Sequence, residues 1–416
     1  MDIKRFNADF GNSTNNFMVD GYYFEIPTNV VEISKKQADG MFVSGINEPK
    51  DLLDRLLIST TYDGQERYYL VGEFAEKSKL SNSHVNGMND KIRSVIPYIS
   101  FLASIAYYNI VISNSEDDEV NISSMNMMLP IWLLKRAEKF SIAEHEMESR
   151  FIGDHRVKVI TLGMERDIRI KVRKSKCRIE SEVARHSLKY KIVEENDVIK
   201  IEKRYELENK FNNFEVVLSD IGGGSTDAVK LGKGLTAPKE RDSFKVIDIE
   251  PFLGRLETLR KEKLLEYFHD LRAFEKFIIA NYKNQKYILK NENVGNSFDF
   301  TEIITEMLQE YSDMLITQIF NAFKETDKVI KFIYFGGEAP VLEPYMKISL
   351  RKHMNDEAAQ NNHYFLHEIL QDDEKEVFMP TSRTINLTAL EIFSINEMKK
   401  CESSKNQKEE ENLIVH

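Results

Sequence analysis

The chain opens with short apolar runs separated by polar bends, the pattern of strand, turn and strand. Ile3 to Ala8 reads as a strand, and Asp9-Phe10-Gly11-Asn12-Ser13 as a bend rich in turn formers. A second strand through Phe17 to Val19, a turn at Asp20-Gly21 and a third strand from Tyr22 to Ile26 follow. Leu52 to Ser59 and Arg67 to Val71 read as further strand or helix pieces. Val95 to Ile112 is apolar enough and long enough for a membrane span. Its Pro97, Ser100, Ser104, Asn109 and three tyrosines fit a packed interior instead, so the expectation is a core helix running into a strand. Pro130 ends the element before it. Trp132 to Phe151 carries the spacing of one amphipathic helix, with Leu133, Leu134, Ala137 and Phe140 on its apolar face. Val157 to Leu162 and Ile168 to Val172 read as paired strands. Cys177 to Glu180 reads as another, with a helix starting at Ser181. Asn196 to Lys210 is charged and is expected as a surface excursion.

Phe214 to Ser219 then has the continuous apolar character of a buried strand. It runs directly into Asp220-Ile221-Gly222-Gly223-Gly224-Ser225-Thr226-Asp227 and returns as Ala228 to Leu231. Strand, aspartate, glycine-containing bend and strand repeat the layout of the N-terminus, which implies an internally duplicated α/β chain. Phe252 to Phe277 and Phe300 to Phe323 read as long helices. Val329 to Phe335 is an apolar strand ending in Gly336-Gly337-Glu338-Ala339-Pro340, before a helix from Val341 to His353. Residues 399–416 form a charged tail, expected to be solvated and disordered.

The two bends are the first candidate chemistry. A phosphate chain needs several N–H donors aimed at one point, and glycine lets backbone approach without a Cβ. Gly11, Asn12, Ser13 and Thr14 meet that need, as do Gly222, Gly223, Gly224, Ser225 and Thr226. Asp9 and Asp220, one at the end of each preceding strand, suit Mg²⁺, which prefers oxygen ligands and keeps its waters. A bend such as Asp9 to Asn12 also serves ordinary hairpins; three consecutive glycines between a buried strand and Ser-Thr-Asp rarely serve packing. Other nucleotide motifs fail, because Asp227 stands where both a phosphate-binding loop ending at Gly232-Lys233 and a dinucleotide fingerprint starting at Gly222 need glycine. Gly336 and Gly337 can admit a flat base or the α-phosphate against backbone, or simply turn a strand into a helix. His363 and His367 have no third ligand in view and are read as surface histidines, not a metal site.

The 416 residues have room for roughly two to three domains. Hydrophobic residues at 42% can supply a sizeable core. A net charge of −11 argues against a dedicated nucleic-acid surface. The two cysteines, Cys177 and Cys401, are too isolated for a disulfide framework, and the N-terminus has no apolar leader. A reducing cytoplasm is the expected setting, with no direct contact to nucleic acid or membrane.

Two phosphate hairpins, a connecting helix and a late double glycine, in this order, resemble the superfamily of actins, heat-shock chaperone ATPases and sugar kinases. Within it the chain is most similar to bacterial plasmid-segregation actins, the ParM-type ATPases of Gram-positive plasmids. Leu129-Pro130-Ile131-Trp132 and Cys177-Arg178-Ile179-Glu180-Ser181-Glu182 carry that likeness. The resemblance implies an α/β, actin-like (ribonuclease H-like duplicated), two-lobed fold with nucleotide in the interdomain cleft. Lobe I would comprise residues 1–180 with a C-terminal return at 385–398, and lobe II residues 181–384. It implies ATP and Mg²⁺ as ligands, with Asp9 and Asp220 at the metal and Glu180 orienting the attacking water beside Asp220. Ser181-Glu182 offers an alternative alignment for that glutamate. Lys261 and Glu262 match the pair that reaches ribose and base, though a solvated charged face explains them as well. Glu338 stands where many members have a small residue, so ATP over GTP is open. The implied activity is NTP hydrolysis coupled to filament assembly, with an adaptor protein joining the filament to plasmid centromere DNA. A small-molecule kinase, a chaperone, and a filament serving cell shape or phage DNA are the rivals. The kinase lacks an identifiable sugar pocket, and the chaperone lacks a substrate domain after the ATPase.

Overall fold

A computed structural model describes residues 1–78, 90–196, 198–291, 295–323, 328–370 and 373–414, with side chains through Lys400. The first part of the chain supplies strands β1 (Asp2–Phe10), β2 (Thr14–Val19), β3 (Tyr22–Pro27), β4 (Val30–Ile33), β5 (Leu57–Tyr62), β6 (Gln65–Val71), β7 (Glu119–Leu129), β8 (Gly153–Val159), β9 (Arg166–Val172) and β10 (Ser175–Ile179). They form one sheet in the order β3-β2-β1-β7-β9-β8-β5-β6-β4, with β10 also on β7. After a hairpin of β11 (Tyr190–Glu195) and β12 (Val198–Lys203), the strands β13 (Glu215–Ile221), β14 (Thr226–Leu231) and β15 (Phe244–Val246) appear. A small hairpin of β16 (Ile288–Asn291) and β17 (Asn296–Asp299) precedes β18 (Ile330–Phe335) and β19 (His363–Phe365). The second large sheet has the order β15-β14-β13-β18-β19.

The duplication is deeper than the two bends. In each sheet three antiparallel strands are followed by two parallel ones: β3-β2-β1 then β7 and β10, and β15-β14-β13 then β18 and β19. The eleven residues of β7 let it serve two neighbours on the side away from β1. Glu119–Ile122 pairs with β9, and Met125–Leu129 pairs with β10. The remaining strands extend the first sheet beyond the repeated unit.

Central strands β1 and β13 are buried over nearly their whole length, as strands covered on both faces must be. The Val95–Tyr107 helix covers the first sheet; Phe101 meets Phe6 edge-on at 5.5 Å. It is a buried core helix, but it continues through a π-helical turn at Tyr108–Ile112, and the next strand starts only at Glu119. The helix Ile385–Ile414 touches both central strands. Glu391 accepts from Arg5 Nε (2.9 Å) and Asn7 Nδ2 (2.6 Å) on β1, and Asn386 Nδ2 donates to Asp220 Oδ2 on β13 (2.7 Å).

Several elements differ from expectation. The predicted helix 132–151 is two helices, Ile131–Arg136 and Phe140–Ser149. No helix starts at Ser181, whose φ of 67° is outside the helical range; helix begins at Arg185. The charged excursion at 196–210 forms β12 and the helix Tyr205–Phe211, which buries Leu207 and Phe211. Phe252–Phe277 is broken into Phe252–Lys263 and Leu271–Asn281, because the Asp270 carboxylate caps the second helix by accepting from Ala273 N–H at 2.8 Å. The last helix runs on to Ile414; residues 399–414 are rich in Lys and Glu and free of Gly and Pro, which gives them good helix propensity.

Candidate functional site

Both glycine bends open onto one cavity of about 90 Å³. The β1–β2 hairpin contributes Asp9, Gly11, Asn12, Ser13 and Thr14, and the β13–β14 hairpin Asp220, Gly222, Gly223, Gly224 and Ser225. Glu180 enters from the end of β10, and Gly336, Gly337 and Glu338 from the end of β18. The bends are tight because they are glycine. A Cβ on Gly11 would lie 2.3 Å from the Thr14 carbonyl oxygen. At Gly336, with φ of 103°, a Cβ would lie 2.5 Å from Asp220 Oδ1 and from the Ile221 backbone. Backbone from two strands is thereby pressed against the Asp220 carboxylate.

The cavity is crowded with acid. Asp9, Asp220 and Asp227 are buried. Burial first, and then the neighbouring Glu180 charge, pushes the Asp9 and Asp227 carboxyls up to about 7. Burial and Glu180 raise Asp220 as well, against the hydrogen bond that Asn386 donates to it. Lys91 is the buried counter-charge, its Nζ 3.1 Å from Glu180 Oε2. Burial alone would lower its pKa, but Glu180 and Asp9 outweigh that and raise it. Asp227 accepts from Ile131 N–H at 3.0 Å through Oδ2, while its buried Oδ1 has no protein partner among the described residues. Buried, mutually repelling carboxylates with spare lone pairs are a donor set for a hard divalent cation. Among the described residues, only Glu343, His367 and Glu368 bring three potential ligand atoms within 4.8 Å of one another. The wider spacing of the cleft carboxylates fits an ion that keeps its waters. At Glu343 and Glu368 the Lys347 ammonium already lies 2.6 and 2.7 Å from the two carboxylates, so the cation position is filled.

Three predicted residues are not at the cavity. Thr226 is buried in β14 beside the bend and does not line it. Lys261 is exposed and pairs with Glu257 at 3.1 Å, and Glu262 lies in a separate surface depression beside Thr258 and Glu306. The break at Asp270 explains the misplacement, since the following helix, not this one, faces the first hairpin. His363 is no surface residue. It is buried on β19, stacked on Phe332 at 4.7 Å and hydrogen-bonded to Tyr334 Oη at 2.9 Å. Burial lowers its pKa to about 3 and keeps it neutral. His367 lies beyond it in the short helix Leu366–Ile369, so the four-residue spacing does not put the two on one helix face.

Sequence reasoning missed Lys91, Trp132, Asp227, Arg383 and Asn386, all of which line the cavity. Asp227 carried a signal, since it closes the Ser-Thr-Asp run and sits opposite Asp220 in the β13–β14 register. Trp132 closes the Leu129–Trp132 run already singled out in the sequence, whereas Lys91, Arg383 and Asn386 come from distant segments with no local pattern. A second cavity, of about 980 Å³, lies beyond Gly337 and Arg383. Ile279, Tyr282, Pro340, Val341, Leu370 and Met379 give it apolar walls.

The family model of the Alp7A C-terminal domain matches residues 215–369. Among curated proteins none matches the chain. The crystal structure of the actin-like protein Alp7A is 43% identical, with a TM-score of 0.84, over 98% of this chain and 100% of that one. Bacillus thuringiensis ParM with ADP superposes with a TM-score of 0.62 at 14% identity, covering 94% of this chain and 98% of its own. The ParM of a 15-stranded filament from Clostridium botulinum gives 0.63 at 15% identity, covering 94% and 99%. The latter two share the fold: two lobes, each on its own sheet. With the repeated sheets, the facing glycine bends and an identity of 43% along the full length of Alp7A, the chain belongs to the Alp7A family of actin-like proteins.

Proposed function

We propose that the chain binds a nucleoside triphosphate with Mg²⁺ between its lobes, hydrolyses it, and assembles into filaments that move plasmid DNA. The meeting of two Asp-then-glycine bends, from two sheets, at one cavity carries this proposal. Backbone N–H groups of Gly11 to Thr14 and of Gly222 to Ser225 would hold the phosphates from opposite sides. Asp9 and Asp220 would hold the metal through its waters, with Asn386 orienting Asp220. When bound, Mg²⁺ supplies positive charge to the phosphate oxygens. Glu180, paired with Lys91, is a fixed acceptor suited to orienting a water rather than to taking its proton. The apolar cavity beyond Gly337, lined by Ile279, Tyr282, Pro340 and Val341, suits the base.

Lobe I is then residues 1–180 with 385–398, and lobe II residues 181–384. A ligand that contacts both biases their closure, and a heterologous contact between copies propagates as a filament. Alp7A and ParM relatives support this, as one ParM is solved as a filament and another with ADP. The net charge of −11 suits a protein that works in the cytoplasm and reaches centromere DNA through an adaptor rather than by itself. Light scattering and electron microscopy of the purified protein with Mg²⁺ and ATP, GTP or a non-hydrolysable analogue test it. Polymers with phosphate release are expected; no polymer and no release with either nucleotide would sink the proposal.

A further inference from the structure

The acidic cavity between the bends and the apolar cavity beyond them meet at one guanidinium. Among the described residues, Gly337, Ser382 and Arg383 alone line both. Arg383 stands in the turn that opens the last helix, and that turn is held firmly. Thr384 Oγ1 accepts from Thr381 N–H at 2.9 Å, and the Ser382 carbonyl accepts from Gly336 N–H at 2.9 Å. Asn386, in the first turn of the same helix, is the residue that holds Asp220. The backbone from which Arg383 projects is thus fixed to the ends of both β18 and β13. The guanidinium itself is lightly used. Among the described residues it makes one hydrogen bond, from Nη1 to Thr14 Oγ1 at 3.4 Å, and no ion pair. A guanidinium carries several N–H donors, so most of its capacity is unspent. The other cation on the acidic cavity, Lys91, is committed to Glu180 at 3.1 Å. Burial raises the Asp9 and Glu338 carboxyls, and the Arg383 charge opposes that rise in both.

A nucleotide with its base in the apolar cavity and its outer phosphates between the bends runs its α-phosphate through this junction. The double glycine does not supply all that the α-phosphate needs there. Gly336 N–H is given to the Ser382 carbonyl, and Glu338 N–H to the Ile221 carbonyl at 3.0 Å. Asp9, Asp220 and Glu338 make the surroundings acidic, so a phosphate oxygen needs both a donor and a positive charge. We infer that Arg383 binds the α-phosphate of the nucleotide, donating to its non-bridging oxygens at the junction of the two cavities. Arginine suits the position, because its planar fork meets two phosphate oxygens at once, whereas lysine offers only a point charge. One residue then ties the part of the site that holds the base to the part that holds the reacting phosphates. The rival role is simple neutralisation of the neighbouring acids, which would make no distinction among the phosphates. The inference rests on the two cavities being the phosphate and base sites.

Calorimetric titration of the full chain with Mg²⁺ and ADP tests it, or with GDP if the wild type prefers that base. The α-thio and β-thio analogues of the same nucleotide are titrated beside it. Arg383→Ala should weaken the diphosphate roughly 10-fold or more, the loss of a charge-assisted hydrogen bond. In the wild type, sulfur in place of an α-oxygen should weaken binding of at least one diastereomer, because sulfur is the poorer acceptor. Arg383→Ala should reduce that α-thio difference and leave the β-thio difference as it was. The comparison is a double-mutant cycle between residue and ligand, so a metal preference for oxygen cancels. An affinity for the diphosphate within about 2-fold of wild type overturns the inference, and so does an α-thio difference unchanged by the substitution. Should Arg383→Ala fail to fold, Arg383→Lys decides, since it keeps the charge, loses the fork and should still shrink the α-thio difference. A wild type that binds neither ADP nor GDP overturns the reading of the cavities, and this inference with it. A wild type that binds one of them, with an α-thio difference indifferent to Arg383, overturns this inference alone.

Discussion

Adjacent glycines at the end of β18 should respond oppositely to the same methyl group. At Gly336, φ is 103°, and an added Cβ would meet Asp220 Oδ1, Ile221 N and Ile221 O, each at 2.5 Å. The left-handed backbone alone costs an L-residue about 1–2 kcal/mol. Overpacking against backbone that cannot swing aside adds about 1–3 kcal/mol. Gly336→Ala is therefore expected to lose about 2–5 kcal/mol, or roughly 5–15 °C in Tm if the second lobe unfolds as a unit of about 200 residues. It should also displace Asp220, which Asn386 holds from the other side. At Gly337 the added Cβ would meet only the Arg383 guanidinium, at 3.8 and 4.0 Å, which is ordinary contact with a flexible group. Gly337→Ala should stay within about 1 kcal/mol of wild type, with a slight gain possible from a stiffer unfolded chain. Thermal denaturation followed by circular dichroism reads both. Equal losses, or a larger loss at Gly337, would refute the placement of the β18 end against β13.

The buried acids predict a pH dependence with a definite sign. Burial raises Asp9 and Asp227 to about 7 and Glu338 to about 8, so the folded chain keeps protons that the unfolded chain has released. Their contribution is complete below the ordinary carboxylate range and is lost as pH rises through those values. Tm in chelator should fall between about pH 5 and 8, and Mg²⁺ should reduce the fall; a Tm that rises over that range contradicts the assignment. Lys261→Ala and Glu262→Ala should leave nucleotide affinity within about 2-fold and stability within about 0.5 kcal/mol, because both lie outside the cavity. A large loss of affinity in either, measured by titration with a fluorescent nucleotide, would restore them to the site. Glu180→Gln should slow phosphate release by about 100-fold or more yet permit assembly. Glu180→Ala should in addition lose about 3–5 kcal/mol by leaving Lys91 buried without its partner, which calorimetry would detect.

How much was legible from residues alone follows the range of each interaction. The hairpins at Asp9–Thr14 and Asp220–Thr226 could be read because a tight bend needs particular residues within a few positions of each other. The burial of 95–107 could be read because its apolar run is continuous. The duplication was visible at the bends, and the sheets extend it to five strands each. Helix breaks were harder, since the capping strength of Asp270 competes with an apolar spacing that runs on through it. Lys261-Glu262 and the Arg272–Glu275 pair look alike as charged helix residues, yet it is Arg272 that donates to Asn12 and Ser13 of the first hairpin and Glu275 that accepts from Ser13. Which pair meets the first hairpin depends on the angle at which two helices leave a shared sheet, and no local period encodes that angle. Lys91, Asn386 and Arg383 come to Glu180, Asp220 and Thr14 from segments far away in the chain. Sequence determined the local bends and the repeated architecture, because both depend on short-range backbone preferences. Only tertiary structure decided which charges share the cleft, because packing brings those groups together out of water, where their mutual energies become large.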